Sequence, residues 1–343
     1  MTSIERTFRT ASFSEPDRVP SFLLFSSYGA KELDIPINEY YSDPSYVAQA
    51  QVRLQNKFNS DCYNTFYYAS AEIEAFGGET IFFENGPPNA GAPVIQRVSD
   101  IDDMQAPSVK TSPVLQRILE TIRLLKVHSA GEIPLIGNVV SPFSLPIMQM
   151  GFEAYLDLLY FNKDAFLKLM AINKEFCTNW ARAQIDAGAD IILYFDPMAS
   201  PSVLERSTYL LNGHAIAIET INAIGGPVAT GLASGLSEPV VDDISLTGSM
   251  GLGFSSKDDT KSLKAKCFGK LCLIGNLNGV EMIRWTREEA RMRVQNLIKD
   301  AAPGGGFILS DNHGEIPFQV SEDILLEISD AVQEYGTYPI RLG

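Results

Sequence analysis

The chain has 343 residues, 45% hydrophobic and 20% charged, the composition of a globular protein long enough to bury roughly three quarters of its unfolded surface. A formal net charge of −15 with no basic stripe sets it against a phosphate backbone, so nucleic acid is excluded as a partner. The longest apolar runs are strand-sized, the N-terminus lacks the apolar centre of a secretory signal, and Cys62, Cys177, Cys267 and Cys272 form no CxxC pair, so the expectation is a cytoplasmic protein with free thiols and no membrane partner.

In chain order, short β-rich runs alternate with helical patterns. The predicted strands are VPSFLLFSS (19–27), CYNTFYYA (62–69), PLIGNVVSP (134–142), DIILYFDP (190–197), PVATGLASG (227–235), MGLGFS (250–255), KLCLIGNLN (270–278) and GGFILSDNHG (305–314). Most are apolar on successive residues, as strands buried on both faces are. Between them the spacing predicts helices over 44–58, 113–128, 151–188, 203–223, 256–267, 287–300 and 321–335, with a short one after the fifth strand. In the third of these, Phe166, Leu169, Met170, Phe176, Cys177 and Trp180 recur at helical spacing, a stripe suited to packing on a sheet. Residues 70–112 are rich in Gly and Pro and longer than such a connection requires, which suggests a hairpin insertion over the mouth of the sheet.

Eight βα units predict an α/β protein, a single (β/α)8 TIM barrel over residues 1–343. The competing doubly wound sheet is disfavoured. Its first turn would carry GxGxxG, and here that turn reads SSYGAKELD, while the glycines of GGPVATGLASG fall in and just after the fifth strand.

In such a barrel the reacting groups sit at strand C-termini and in the loops that follow, because side chains fill the interior. Asp196, in FDPMASP, ends an apolar run and is a catalytic candidate, with a turn or helix-capping role as the alternative. His313, in SDNHGEIP, follows the last strand and suits proton transfer, metal ligation or anion binding. Glu72 and Glu74, in ASAEIEAFGG, share a face on a strand and diverge on a helix, and both readings stay open. The strand ends also offer Tyr68, Ser141, Ser234, Asn276 and Glu315 for substrate binding, and Phe143 is expected to help line an apolar mouth. The cysteines lie away from that mouth. No GxSxG, HExxH or GxxxxGK[ST] pattern is present.

Several stretches, taken in order, resemble the uroporphyrinogen decarboxylase superfamily, and within it the branch of corrinoid-linked methyltransferases. They are DRVP before the first strand, SAEIEAFGG after the second, GNVVSPFSLPIMQMGFEAYLDLL around the third, AGADIILYFDPMASP at the fourth, GNLNG after the seventh and NHGEIPFQVSEDILLEISDAVQEYG at the end. The resemblance implies a (β/α)8 barrel. It also implies transfer of a methyl group between a small molecule and a corrinoid such as methylcobalamin. That corrinoid is expected on a partner protein, since the chain shows no DxHxxG-type motif for a cobalamin domain of its own.

The departures from the family pattern matter. Porphyrinogen decarboxylases of this superfamily carry an arginine-rich first loop, an Asp after the second strand and a Tyr after the third. Here the loop reads FSSYGAKEL and the other two positions are Tyr68 and Met148. The methyltransferases hold zinc with an H-x-C pair after the fifth strand and a Cys after the eighth, and the matching residues are Leu232-Ala233-Ser234 and His313. Leucine cannot ligate zinc, so the usual site is not expected, with His313 the one competent ligand left. The resemblance therefore points to methyl transfer without a zinc-bound thiol, from or to a methoxy compound or an amine. A lyase acting on a smaller substrate, or a non-catalytic corrinoid or tetrapyrrole carrier, are the alternatives.

Overall fold

The computed structural model describes residues 1–341, and in it each of the eight predicted strand segments contributes one strand to a single parallel sheet. The strands are β1 (Ser21–Phe22), β2 (Tyr63–Asn64), β3 (Leu135–Val140), β4 (Ile191–Phe195), β5 (Val228–Gly231), β6 (Gly251–Gly253), β7 (Cys272–Leu277) and β8 (Phe307–Asp311). Neighbours follow chain order from β2 to β8, and β8 then pairs with β1 through Ser21 beside Leu309 and Phe22 beside Ser310. Helices cover the outer face, as the right-handed crossover between parallel strands requires. The arrangement is that of a (β/α)8 fold.

It departs from the expected barrel at one seam. No ladder joins β1 to β2, and both are two residues long where the sequence predicts strand segments of nine and eight. One main-chain bond and several side chains span the opening instead. The Asp61 N–H donates to the Ser21 carbonyl at 2.7 Å, and the Ser60 hydroxyl accepts the Leu23 N–H. Gln51 reaches from its helix, donating to the Phe25 carbonyl at 2.8 Å and accepting the Asn64 N–H at 3.0 Å. The backbone groups that a ladder would satisfy are thereby satisfied by one backbone bond, an amide and a hydroxyl, so nothing compels regular pairing there.

Four predicted helices match within a residue at each end: Pro44–Phe58, Pro113–Ser129, Arg287–Ala301 and Glu322–Tyr335. Asp43 and Thr286 cap two of them by accepting backbone N–H groups of the first turn. The predicted 151–188 helix is two, Phe152–Phe161 and Lys163–Ala187, separated at Asn162. The 203–223 helix divides at Gly213, where an added Cβ would stand 2.7 Å from the Phe143 ring. The helix expected from 256 starts at Thr260, behind the Asp259 cap.

The two ends of the fold differ in character. At the N-terminal end of the strands, helix Ser3–Ala11, which periodicity did not indicate, lies against the interior residues Phe22, Leu24, Ile136 and Ile308. Asp61, buried there, accepts from Arg6, Arg18, Ser3 and the Ser21 N–H. At the opposite end, Thr80–Ile81 pairs antiparallel with Asn89–Ala90 in a short hairpin. Phe82 of that hairpin packs edge-on against Tyr68 with ring centroids 5.5 Å apart.

Candidate active site

A cavity of about 300 Å³ opens at the C-terminal ends of β2, β3 and β4. The loop after β8 covers it with His313, Gly314 and Glu315, and the hairpin contributes Pro87, Pro88 and Asn89. It extends outward between the ends of β2 and β3 to Ile118 on one helix and Trp180 and Gln184 on the next. Its walls are mostly aromatic and aliphatic, with Phe66, Tyr67, Tyr68, Trp180 and Phe195 prominent, and among the described residues no Lys or Arg lines it. Arg117 borders the Tyr68 phenol from outside that lining.

Glu72 and Glu74 belong to a short helix, Ala71–Ala75, so they diverge. Glu72 turns inward. It lines the cavity at 5% exposure, its Oε1 accepts the Val140 N–H at 3.0 Å, and its Oε2 is buried with no partner. Burial pushes its carboxyl up to about 8, countered only in part by the Val140 N–H and the nearby Trp180 indole. It is therefore mostly protonated at neutral pH. Glu74 turns away from the cavity and accepts the Tyr68 hydroxyl at 2.9 Å, which steadies a phenol that does line it.

The β8 loop is held by Asp311. One oxygen, Oδ1, accepts the backbone N–H groups of His313 at 2.8 Å, Gly314 at 2.6 Å and Glu315 at 3.1 Å. This turn delivers the next residues to the cavity. Gly314 sits at φ +93 with Phe195 so near that an added Cβ would stand 2.9 Å from its ring, so only glycine fits. Burial raises Asp311 to about 6, against the pull of those N–H groups, and its Oδ2 is unpartnered. The His313 imidazole is lowered by burial and so is neutral at pH 7, with Nδ1 buried and unpartnered. Glu315 is raised by burial but accepts a hydrogen bond from the Ser26 hydroxyl.

The structure thus gathers Glu72, Tyr68, His313 and Glu315 around one cavity, with Glu74 supporting it. The remaining candidates lie elsewhere. Asp196, expected at the mouth, is 1% exposed and outside the lining, its Oδ1 accepting the Ser141 and Ser144 hydroxyls at 2.7 Å each. Burial raises its carboxyl and Oδ2 has no partner. Ser141 is committed to that bond. Phe143 is core, packed by Tyr155, Phe166 and Tyr209, and not part of a mouth. Ser234 is exposed, and its carbonyl accepts from Ser255. Asn276 donates to the Ser255 carbonyl at 2.8 Å, away from the cavity.

The donors at the expected zinc positions do not fit that metal. Leu232 is buried in the core, Ser234 points to solvent, and one imidazole remains. Among the described residues no group of three or more His, Cys, Asp or Glu is placed to hold a metal ion, and all four cysteines are buried free thiols. No described helix is long and apolar enough to cross a membrane.

Sequence reasoning missed part of the lining. Trp180 was legible only as one residue of an apolar stripe, and no pattern distinguishes the stripe residue that overhangs a gap between strands from those that pack on them. On the same wall half-buried Asn138 of β3 donates to Asn64 and exchanges two bonds between its backbone and Gln184, so three polar residues meet at one spot, and strand-end position was enough to mark it.

The family model described as uroporphyrinogen decarboxylase (URO-D) matches residues 2–335. A uroporphyrinogen decarboxylase of Pseudoalteromonas atlantica is 24% identical over 268 residues, 76% of this chain and 74% of that protein. The methylcobamide:CoM methyltransferase MtaA of Methanosarcina barkeri is 24% identical over 212 residues, 58% of this chain and 62% of its own. Among solved structures, a methyltransferase from Methanosarcina mazei superposes with a TM-score of 0.86 at 18% identity, covering 98% of this chain and 99% of that one, a likeness of fold.

Proposed function

This chain belongs to the uroporphyrinogen decarboxylase family, and we propose that within it the protein moves a methyl group between a small molecule and a corrinoid carried by a partner protein, without a zinc-bound thiol. The observation that carries this reading is the cavity itself: apolar, free of Lys and Arg in its lining, and walled by a buried Glu72 whose second oxygen has no partner. A porphyrinogen would bring several carboxylates into that space. Each would cost several kcal/mol to desolvate with no Lys or Arg in the lining to meet it, which argues for the methyltransferase side of the family. The curated relatives include methylcobamide:CoM methyltransferases, in keeping with a corrinoid partner.

In this reading a corrinoid on the partner protein would, when bound, accept the methyl group as a nucleophile or yield it to one, and the chain supplies the rest. The cavity excludes water and orients the small molecule. Glu72, protonated, gives its proton from Oε2 to the atom that loses the methyl group. His313, a neutral imidazole on the facing loop, offers Nδ1 as a hydrogen-bonding partner within the same space.

The test is spectroscopic. Purified protein is mixed with reduced cobalamin and a panel of small methyl donors, and conversion is followed by absorbance. Glu72→Gln is expected to slow the reaction by about 10²–10⁴-fold while leaving the circular dichroism spectrum unchanged. The wild-type rate is expected to fall as pH rises through about 8, where Glu72 gives up its proton. A Glu72→Gln protein as fast as wild type would remove Glu72 from the chemistry.

A further inference from the structure

The cavity leaves the barrel through a split in its wall, and side chains build that split. Along β3 the odd-numbered residues pair with β4: the Leu135 carbonyl accepts the Asp190 N–H, and the Ser141 N–H donates to the Phe195 carbonyl. The even-numbered residues therefore face β2. Pairing with β2 runs only as far as Ile136, whose carbonyl accepts the Thr65 N–H at 3.0 Å. Beyond it, side chains meet the free strand edge one group at a time. Gln184 accepts the Asn138 N–H at 2.9 Å and donates to the Asn138 carbonyl at 2.8 Å. Oε1 of Glu72 accepts the Val140 N–H at 3.0 Å, and the Cys177 thiol donates to the Val140 carbonyl at 3.2 Å. The strands part without orphaning a backbone group of Asn138 or Val140.

Cys177, Trp180 and Gln184 lie three and four residues apart on helix Lys163–Ala187, so one face of that helix serves the split. The outer two satisfy the strand edge. Trp180, between them, walls the cavity, with Ile118 from the neighbouring helix. Two buried polar atoms of the lining lack partners: Nδ1 of His313, on the β8 loop over the barrel mouth, and Oε2 of Glu72, in the split.

We propose that the split is a ligand subsite for an uncharged apolar group ending in a hydrogen-bond acceptor, which Oε2 of Glu72 meets, and that Trp180 sets the size of that group. A carboxylate there would find no Lys or Arg in the lining, and a cation would find a neutral carboxyl. His313 is left for whatever polar group of the same ligand stays in the mouth. Trp180 holds this role whichever reaction follows, so binding alone tests it.

Acetophenone and 2-acetonaphthone, uncharged ketones that differ by one ring, serve as probes in calorimetric titration of the full chain. Trp180→Ala is expected to raise the affinity for 2-acetonaphthone relative to acetophenone at least about tenfold, and Trp180→Phe to raise it about threefold. Wild-type affinity for acetophenone is expected to fall as pH rises through about 8, where Glu72 loses the proton it donates. Glu72→Gln keeps an N–H donor and is expected to bind acetophenone with no such fall. Should Trp180→Ala fail to fold by circular dichroism, the ratio in Trp180→Phe decides. A ratio within about twofold of wild type, wild-type protein that binds neither ketone, or a wild-type affinity flat across pH 8 overturns the proposal. Methyl transfer to reduced cobalamin is measured separately. Its failure with the ketones bound as expected leaves the subsite standing, and failure of the ketones while methyl passes removes the subsite alone.

Discussion

Burial couples the protonation of Glu72 to the stability of the fold. Its carboxyl binds a proton more tightly when folded than when unfolded, being raised from 4.5 to about 8 by burial. The folded state therefore holds more protons between those two values, and stability falls as pH rises through that window. Urea unfolding of the wild type is expected to show a loss of a few kcal/mol between pH 5 and pH 8 that Glu72→Gln lacks. Equal slopes for the two proteins would mean that Glu72 ionises in the folded state as freely as in water. At this scale the sequence was informative in part. Glu72, Tyr68, His313 and Glu315 were legible from strand-end position, whereas Phe143 and Asp196 were misplaced. Successive side chains at a strand end face opposite ways, and the last turn of backbone decides which way a given one looks.

One loop, one helix and one seam show how elements position these residues. Asp311 gathers three consecutive N–H groups and so presents His313 and Glu315 together, while helix Ala71–Ala75 separates Glu72 from Glu74. The seam between β1 and β2 depends on Gln51, whose amide serves the Phe25 carbonyl and the Asn64 N–H. Gln51→Leu leaves both buried backbone groups without that partner, although Asn64 also donates to Phe25 at 3.2 Å. It is expected to destabilise the protein by about 2–3 kcal/mol, read as a lower urea midpoint. An unchanged midpoint would show that the seam is held by packing alone. Sequence periodicity had made full strands of both segments, since a run buried on both faces looks alike whether its backbone groups pair with a neighbouring strand or with a side chain.

Across the whole molecule, the two ends of the sheet divide their labour. The C-terminal end holds the cavity, and the N-terminal end holds the Asp61 cluster with Arg6 and Arg18. Asp61→Ala leaves Arg6 and Arg18 without their shared carboxylate, and is expected to cost about 3–5 kcal/mol of stability. Activity per folded molecule should stay near wild type, because no Asp61 partner touches the cavity; a selective loss of turnover with unchanged stability would contradict that division. By itself the sequence determined the class of fold and the order of its eight strands, because burial on both faces of strands and the amphipathic stripe of helices are local patterns, while its ordered motifs carried the resemblance to the family and strand direction pointed to the end at which the cavity opens. Only the tertiary structure decided on which side of the ring the cavity opens, that Trp180 overhangs it, that Asp196 and Phe143 are buried behind it, and that Glu72 keeps its proton. Those facts depend on what surrounds a side chain once distant segments have packed, and desolvation is a property of that surrounding and of no residue alone.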